Sequence, residues 1–250
     1  MAFFSGLKNL FAKTSRQALT CTAVIAAAGS SLRMGSEDKL FIEICGAPVL
    51  AHTLIAFQKS AIIGEIIVVS REESLERVCE LCKQYGIDKA TKVMIGGKTR
   101  LDSVMNGVFA VSKDTRLIAI HDGARPCVDS ATIEAAVAAA GKYQAAAPAV
   151  KIYSTLKRVR DGVIVETVDR EEFAEIQTPQ VFTADLIKAA LTKARDESVI
   201  FTDDCGAVEH LGFPVRVTQG SSYNIKITTF EDIAIAEAIL NKCKILNSAD

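Results

Sequence analysis

Two cations stand close together in "AAAGSSLRMGSEDK", residues 26–39. Arg33 and Lys39 flank Gly35, and Gly29 ends the apolar run that precedes them. Glycine with small hydroxyl residues lets backbone N–H groups approach an anion, and a helical turn after such a loop adds its positive end. Arginine offers a planar fork for phosphate oxygens, and lysine a point charge. The chemistry that suits this set is the holding of a phosphate group. The spacing is neither of the two best-known phosphate loops. GxxxxGK[ST] places its lysine directly after the second glycine, whereas Lys39 trails Gly35 by four residues. GxGxxG requires a glycine where this chain has Ser31. The plainer alternative is a surface turn with two solvated cations.

Four further stretches carry polar residues that a ligand could meet. "GGKTRLDSV", residues 96–104, joins a glycine pair to a helix start. There Gly97 offers close backbone approach and Ser103 a hydroxyl, both suited to the polar edge of a base; the alternative is an ordinary strand-to-helix turn. "HDGARP", residues 121–126, ends a run that reads as a buried strand. A carboxylate there is costly unless paired or metal-bound, so Asp122 is a candidate ligand for Mg²⁺ or a hydroxyl. Arg125 is its salt-bridge partner or a phosphate contact. His121 reads as a packed strand-end residue rather than a catalyst. Arg170 and Thr178 lie in "TVDREEFAEIQTPQVF" (167–182), and Lys226 in "SSYNIKITT" (221–229). Spacing alone assigns these three no role.

Such residues need a scaffold that brings distant segments to one edge, and the sequence describes one. Strands are expected over Thr22–Ala28, Glu65–Ser70, Lys92–Ile95, Leu117–His121 and Ala145–Val150. Helices are expected between them, over Pro48–Lys59, Glu72–Tyr85, Leu101–Val111 and Ser130–Ala140, the last capped by Ser130. This alternation predicts an α/β fold: a doubly wound, mostly parallel sheet with helices on both faces. Ligands of such sheets bind beyond the C-terminal ends of the strands, which is where Gly29 and Asp122 fall. The rhythm then changes. Asp161-Gly162 sits between two β-type runs in residues 152–169, a strong hairpin signal. An isolated two-stranded ribbon is marginal in water, so this arm, at about 151–172, is expected to pack on something, plausibly a second subunit. Helices over Ala184–Arg195 and Asp203–Leu211, a strand over Pro214–Thr218 and a helix from Phe230 to about Leu246 complete the chain.

Bulk properties narrow the function. The 250 residues carry a formal net charge of −1, which argues against a nucleic-acid partner held by general electrostatics. Any anion must be met by a local cation cluster. Seven scattered cysteines include one C-x-x-C, Cys79 and Cys82, inside a helical pattern; packing on a helix face is the expectation, with reduced thiols in a cytoplasm. No apolar run is long enough to span a membrane. Residues 1–19 contain Lys8, Lys13 and Arg16 and no acidic residue. They read as a basic, amphipathic extension ahead of a domain over 20–250, with a short targeting segment as the alternative.

In order, AAAGSSLRMG…DK, GGKTRLDSV, HDGARP, the arm with VDR, QTPQVF, TDDCGAVE and NIKIT run from about residue 21 to 243. This series resembles the 2-C-methyl-D-erythritol 4-phosphate cytidylyltransferase family of the non-mevalonate isoprenoid pathway. The resemblance implies a nucleotidyltransferase fold, a homodimer joined by the arms, CTP and Mg²⁺, and release of pyrophosphate. It implies that Ala27, Ala28, Gly29, Arg33, Lys39, Gly97 and Ser103 line a CTP site, with Arg33 and Lys39 stabilising the transition state. It implies that Asp122, Gly123, Arg125, Thr155, Thr178 and Lys226 surround the sugar phosphate and metal. Arg170 would reach the partner's site and, with Lys226, position the attacking phosphate. The chain departs from the family pattern at Ala26 (commonly Pro), Ser31 (Gly), Asp38 (Pro) and Tyr223 (acidic). The rivals are ribitol 5-phosphate cytidylyltransferase, a nucleotidyltransferase using another NTP, and a non-catalytic nucleotide-binding regulator. A dinucleotide-dependent oxidoreductase is disfavoured by Ser31 and the loop spacing.

Overall fold

The computed structural model describes residues 21–29 and 38–247. The expected extension over residues 1–19, and Arg33 with the rest of residues 30–37, lie outside them. Strand β1 (Cys21–Ala27) is central. It is flanked in parallel by β4 (Ile63–Ser70) and β6 (Leu117–Asp122), and β5 (Ala90–Ile95) continues the sheet beyond β4. Between them run α1 (Val49–Lys59), α2 (Leu75–Gln84) and α3 (Arg100–Phe109). A two-residue ladder of β2 (Glu43–Ile44) with β3 (Ala47–Pro48) precedes α1. Branched residues dominate these strands because both sheet faces are covered.

Beyond β6 the sheet is mixed, and the sequence did not announce it. After α4 (Ser130–Tyr143) comes β7 (Ala145–Lys151). It pairs antiparallel with β10 (Ala174–Ile176) and β11 (Gln180–Thr183), and in parallel with β12 (Arg216–Gln219). Strand β11 lies antiparallel between β6 and β7. The short runs AEI and QVFT carry no alternation long enough to read, yet β11 is fully embedded and delivers Thr178 to the edge of β6. The cap of α4 also differs from expectation. Asp129, not Ser130, holds the first turn by accepting the Thr132 N–H at 2.7 Å.

The period-two alternation along β1 sorts its side chains into two cores. Ala23 and Ile25 face α1, α2 and α4. Val24 faces α3, α5 (Ala184–Asp196) and α6 (Asp204–His210). A smaller cluster joins Ile44, Val49, Cys127 and Ile227 to Ala236 of α7 (Glu231–Asn247). Cys82 packs into the first core from α2 while Cys79 is exposed, and all seven cysteines are unbridged.

The hairpin forms where Asp161-Gly162 places it. Strand β8 (Lys157–Arg160) pairs with β9 (Val163–Thr167) in a ladder separate from the main sheet. Asp161 and Gly162 both take positive φ, +48° and +78°, as a tight primed turn requires. The paired ribbon is shorter than the expected arm at its first end, because Lys151 belongs to β7. Every residue of β8 and β9 is exposed, including Val159, Val163, Ile164 and Val165.

Candidate active site

The C-terminal ends of β1, β4 and β6 meet at one edge of the sheet. Ala27 is buried, Ala28 half-buried and Gly29 exposed as the chain leaves β1. Gly123 follows β6 and donates its N–H to the Ala26 carbonyl at 3.0 Å. A Cβ on Gly123 would lie 3.2 Å from that carbonyl oxygen and 3.5 Å from the Ala27 Cβ, so the β6 exit lies against the β1 exit. On the other side a Cβ on Gly96 would lie 2.6 Å from the Ala28 Cβ. Gly96 follows β5, so the glycines let the ends of β5 and β6 close on that of β1.

The second glycine loop is locked by Ser103. Its Oγ accepts the Gly97 N–H at 2.9 Å and donates to the Thr99 carbonyl at 2.9 Å. Thr99 and Asp102 form a reciprocal capping box at the start of α3. The Gly97 N–H is therefore spent within the protein, and Ser103 shapes the loop from a nearly buried position. A Cβ on Gly97 would fall 2.1 Å from the Asp102 Cβ and 3.0 Å from its backbone carbon. Replacement of Gly97 by alanine must displace backbone and break the Ser103 bond. The expected destabilisation is about 1–3 kcal/mol, read as a lower denaturant midpoint at unchanged m-value.

The charge centre is Asp122. Its Oδ2 lies 3.1 Å from Arg125 Nε and 3.1 Å from Lys226 Nζ. Burial alone would raise this carboxyl, but Lys226 and Arg125 outweigh it and hold the pKa at about 2. Arg125 is itself buried and donates from Nη1 to the Asn224 carbonyl at 2.7 Å. It is the salt-bridge partner of Asp122 and a tie to the 221–229 segment. Lys226 has 41% of its side chain exposed, so its ammonium faces both the carboxylate and the open side of the site.

Thr178 and His121 support Asp122 from behind. The Asp122 N–H donates to Thr178 Oγ1 at 3.2 Å, and that hydroxyl lies 3.0 Å from His121 Nδ1. His121 is fully buried and its ring packs on Phe57 at 4.8 Å between centroids. Burial pushes its pKa down to about 3, so it is neutral around pH 7. This is the packed strand-end residue the sequence suggests. Asn224, buried, donates from Nδ2 to the Thr178 carbonyl at 2.8 Å and seats the Lys226 segment on the turn before β11.

Lys39 reaches the same place from the first loop. Its Nζ donates to the Ile227 carbonyl at 2.8 Å, beside Lys226, and the Ile227 N–H donates to Ala124 at 2.9 Å. Lys39, Asp122, Gly123, Arg125, Thr178 and Lys226 are thus joined through direct contacts or one neighbouring residue. Arg170 and Thr155 are not part of this set. Arg170, on a 3-10 turn over Arg170–Glu172, pairs with the Tyr153 carbonyl and Glu171. Thr155 is exposed between β7 and the hairpin.

Sequence reasoning missed the network beneath this edge. Arg100 grips Asp204 through two hydrogen bonds, at 2.8 and 2.6 Å. Gln180 accepts the Asp204 and Cys205 N–H groups at 2.9 and 3.0 Å and donates to Asp203 at 2.8 Å. The glycine loop, β11 and α6 are bound into one unit this way. The run TDD preceding a helix was its only visible trace.

Asp122 could take part in holding a divalent cation. Among the described residues, no group of three or more His, Cys, Asp and Glu side chains is arranged to hold a metal ion. Tyr223 is engaged by Lys242 at 2.8 Å through its hydroxyl. A single carboxylate fits Mg²⁺, which commonly takes most of its oxygens from phosphates and water.

The sequence model for 2-C-methyl-D-erythritol 4-phosphate cytidylyltransferase matches residues 21–242. The enzyme of that name from Halalkalibacterium halodurans is 44% identical over 220 residues, which cover 88% of this chain and 96% of that protein. The one from Dehalococcoides mccartyi strain 195 is 42% identical over 221 residues, 88% and 96% of the two chains. The crystal structure of 4-diphosphocytidyl-2C-methyl-D-erythritol synthase from Anaerococcus prevotii superposes with a TM-score of 0.79 at 32% identity, covering 89% of this chain and 98% of that one. The 2-C-methyl-D-erythritol 4-phosphate cytidylyltransferase structure from Thermus thermophilus gives 0.73 at 30% identity, covering 87% and 98%. With the family model spanning nearly all of the described residues and both kinds of relative in agreement, the chain belongs to the 2-C-methyl-D-erythritol 4-phosphate cytidylyltransferase family.

Proposed function

We propose that this protein joins CTP to 2-C-methyl-D-erythritol 4-phosphate, giving 4-diphosphocytidyl-2-C-methyl-D-erythritol and pyrophosphate. The observation that carries the reading is the convergence of Lys39, Lys226, Arg125 and Asp122 beside the β1 exit. The nucleophile is an oxygen of the substrate's phosphate monoester, which attacks the α-phosphorus of CTP. Its second pKa is near 6, so it is largely ionised at neutral pH. No general base is required, in keeping with a buried, neutral His121. The protein's task is to align two mutually repelling anions and to offset charge on the leaving pyrophosphate.

Each residue has a part in that task. Ala27, Ala28, Gly29, Gly97 and Ser103 form the surface for the nucleotide, Ser103 by fixing the glycine loop. Lys39, with Arg33, places positive charge on the triphosphate. Lys226 orients the attacking phosphate, while Asp122 and Arg125 hold Lys226 in place. Gly123, Thr155 and Thr178 border the polyol. Arg170, lent by a second protomer, completes the phosphate site; the exposed apolar residues of β8 and β9 support a dimer joined through the arms. Bound beside Asp122, Mg²⁺ would neutralise triphosphate charge. Residues 20–250 form the catalytic domain, with 1–19 an accessory extension. Among the described residues no helix is long and apolar enough to cross a membrane, and the unbridged cysteines suit a reducing cytoplasm.

The test is pyrophosphate release with Mg²⁺, each NTP, and methylerythritol or ribitol phosphate. CTP with methylerythritol phosphate should exceed every other pair. Release with ribitol phosphate alone would move the assignment to that enzyme, and none with any pair would favour a regulator.

A further inference from the structure

We infer that Arg71 is a positioning residue for Lys39, acting through Asp38. Nothing in the spacing of the sequence joins Arg71 to the first loop. The fold does so, because β4 lies parallel to β1 with Ser70 opposite Ala27. The residue after β4 therefore emerges beside the start of the loop, and that residue is Arg71. Its Nη2 forms an ion pair with Asp38 Oδ2. Its Nη1 lies 3.2 Å from Glu73 Oε1, which braces the guanidinium from the far side.

Asp38 uses both carboxylate oxygens. Oδ2 meets Arg71, and Oδ1 accepts the Leu40 N–H at 3.2 Å, capping the 3-10 turn over Lys39–Phe41. The carboxylate side chain is 13% exposed and that of Arg71 is 28% exposed. This is not a solvated surface pair, whose worth would be small. Lys39 is the next residue, with its Cα about 3.8 Å from that of Asp38 across a trans peptide. The far end of Lys39 is tied to the Ile227 carbonyl at 2.8 Å. The ammonium is thus located by two anchors: Ile227 holds its tip, and the Arg71–Asp38 pair holds its root. Asp38 has φ −78° and ψ 106°, an extended conformation that the ion pair and the Leu40 cap together hold.

The inference rests on the reading of Lys39 as the cation of the triphosphate, and the test separates the two. Four variants of the full chain are needed: Arg71→Met, Asp38→Ser, their double, and Lys39→Ala. Serine keeps an oxygen for the Leu40 N–H and removes the ion pair. Each single variant should lower kcat about 10- to 100-fold, the scale of a misplaced group. KM for the polyol phosphate should hold, the melting temperature should fall by no more than a few degrees, and the double should be no worse than either single. An amine-reactive reagent read by mass spectrometry supplies a second measure. Lys39 should be modified several-fold faster in Arg71→Met than in the wild-type chain. Single variants within twofold of wild type and unchanged labelling would overturn the inference. So would an Arg71→Met loss much larger than that of Asp38→Ser and additive with it, which would mean that Arg71 touches the nucleotide itself. Should Lys39→Ala retain turnover, the catalytic reading of Lys39 fails, while the labelling rate still decides whether Arg71 places it.

Discussion

Replacement of Lys39 by alanine should lower kcat for cytidylyl transfer by about 10²–10³, equivalent to roughly 3–4 kcal/mol of transition-state stabilisation. The magnitude follows from the role proposed for the ammonium. Negative charge grows on the pyrophosphate as its bond to the α-phosphorus breaks. A donor fixed beforehand needs no reorganisation at that moment. Lys39 is fixed at both ends, by the Asp38-capped turn below and by the Ile227 carbonyl above. Its hydrogen bond to the Ile227 backbone carbonyl is worth about 1 kcal/mol. The melting temperature should therefore fall by only about 2–4 °C in a chain of this size. Steady-state pyrophosphate release and calorimetry on one preparation check both halves. Near-normal turnover would remove Lys39 from the chemistry. A collapse of the melting temperature would recast it as structural.

Lys39 also shows what the sequence makes legible. Its place after a glycine-bearing loop at the end of an apolar run is a local pattern, and local patterns can be read. The same holds for Asp161-Gly162, whose positive φ angles are a demand on two adjacent residues, and for the alternation that built β1, β4 and β6. Asp122 was legible because a carboxylate at the end of a buried strand is costly without a partner. Its partners were less so. Arg125 lies three residues away and could be guessed; Lys226 comes 104 residues later and meets Asp122 because Asn224 and Ile227 dock that segment on Thr178 and Ala124. Strand β11 itself, four residues long, owes its state to neighbours on both sides rather than to propensity. Arg71 is the extreme case. Between two acidic residues of its own segment and a distant Asp38, nothing short of the β1–β4 register selects the pairing. Arg170 remains apart from the cluster within one chain, paired with the Tyr153 carbonyl and Glu171, so its proposed role depends on the proposed dimer.

Asp122→Asn should cost both stability and turnover, and pH separates the two causes. The substitution conserves shape, so no cavity complicates the result. It removes a charge that two cations face at 3.1 Å, leaving Arg125 buried beside a neutral amide. Breaking such a pair from one side costs about 3–5 kcal/mol when both partners are buried. Lys226 is 41% exposed, so a loss near the bottom of that range, about 3 kcal/mol, is expected at pH 7. The sign of the pH dependence is fixed by the carboxyl's low pKa. Lys226 and Arg125 hold its pKa down to about 2 in the folded chain, below the ordinary carboxylate value of 3.8. The stabilisation from ionised Asp122, about 2 kcal/mol by linkage, is complete above the unfolded value. It drains away as acid carries the pH down through 2. The gap between wild type and Asp122→Asn should therefore be constant from pH 5 to 8 and close by about 2 kcal/mol between pH 4 and 2. Denaturant melts across that range measure it without reference to catalysis. Turnover at pH 7 should fall about 10²–10³-fold, because Lys226 then lacks the carboxylate that aims it and, under the proposed reading, a bound Mg²⁺ would lose Asp122. A variant with full stability at neutral pH would mean that Lys226 and Arg125 are satisfied elsewhere. The charge centre would then have to be sought among Arg100, Asp203 and Asp204, which interact with one another along the same edge.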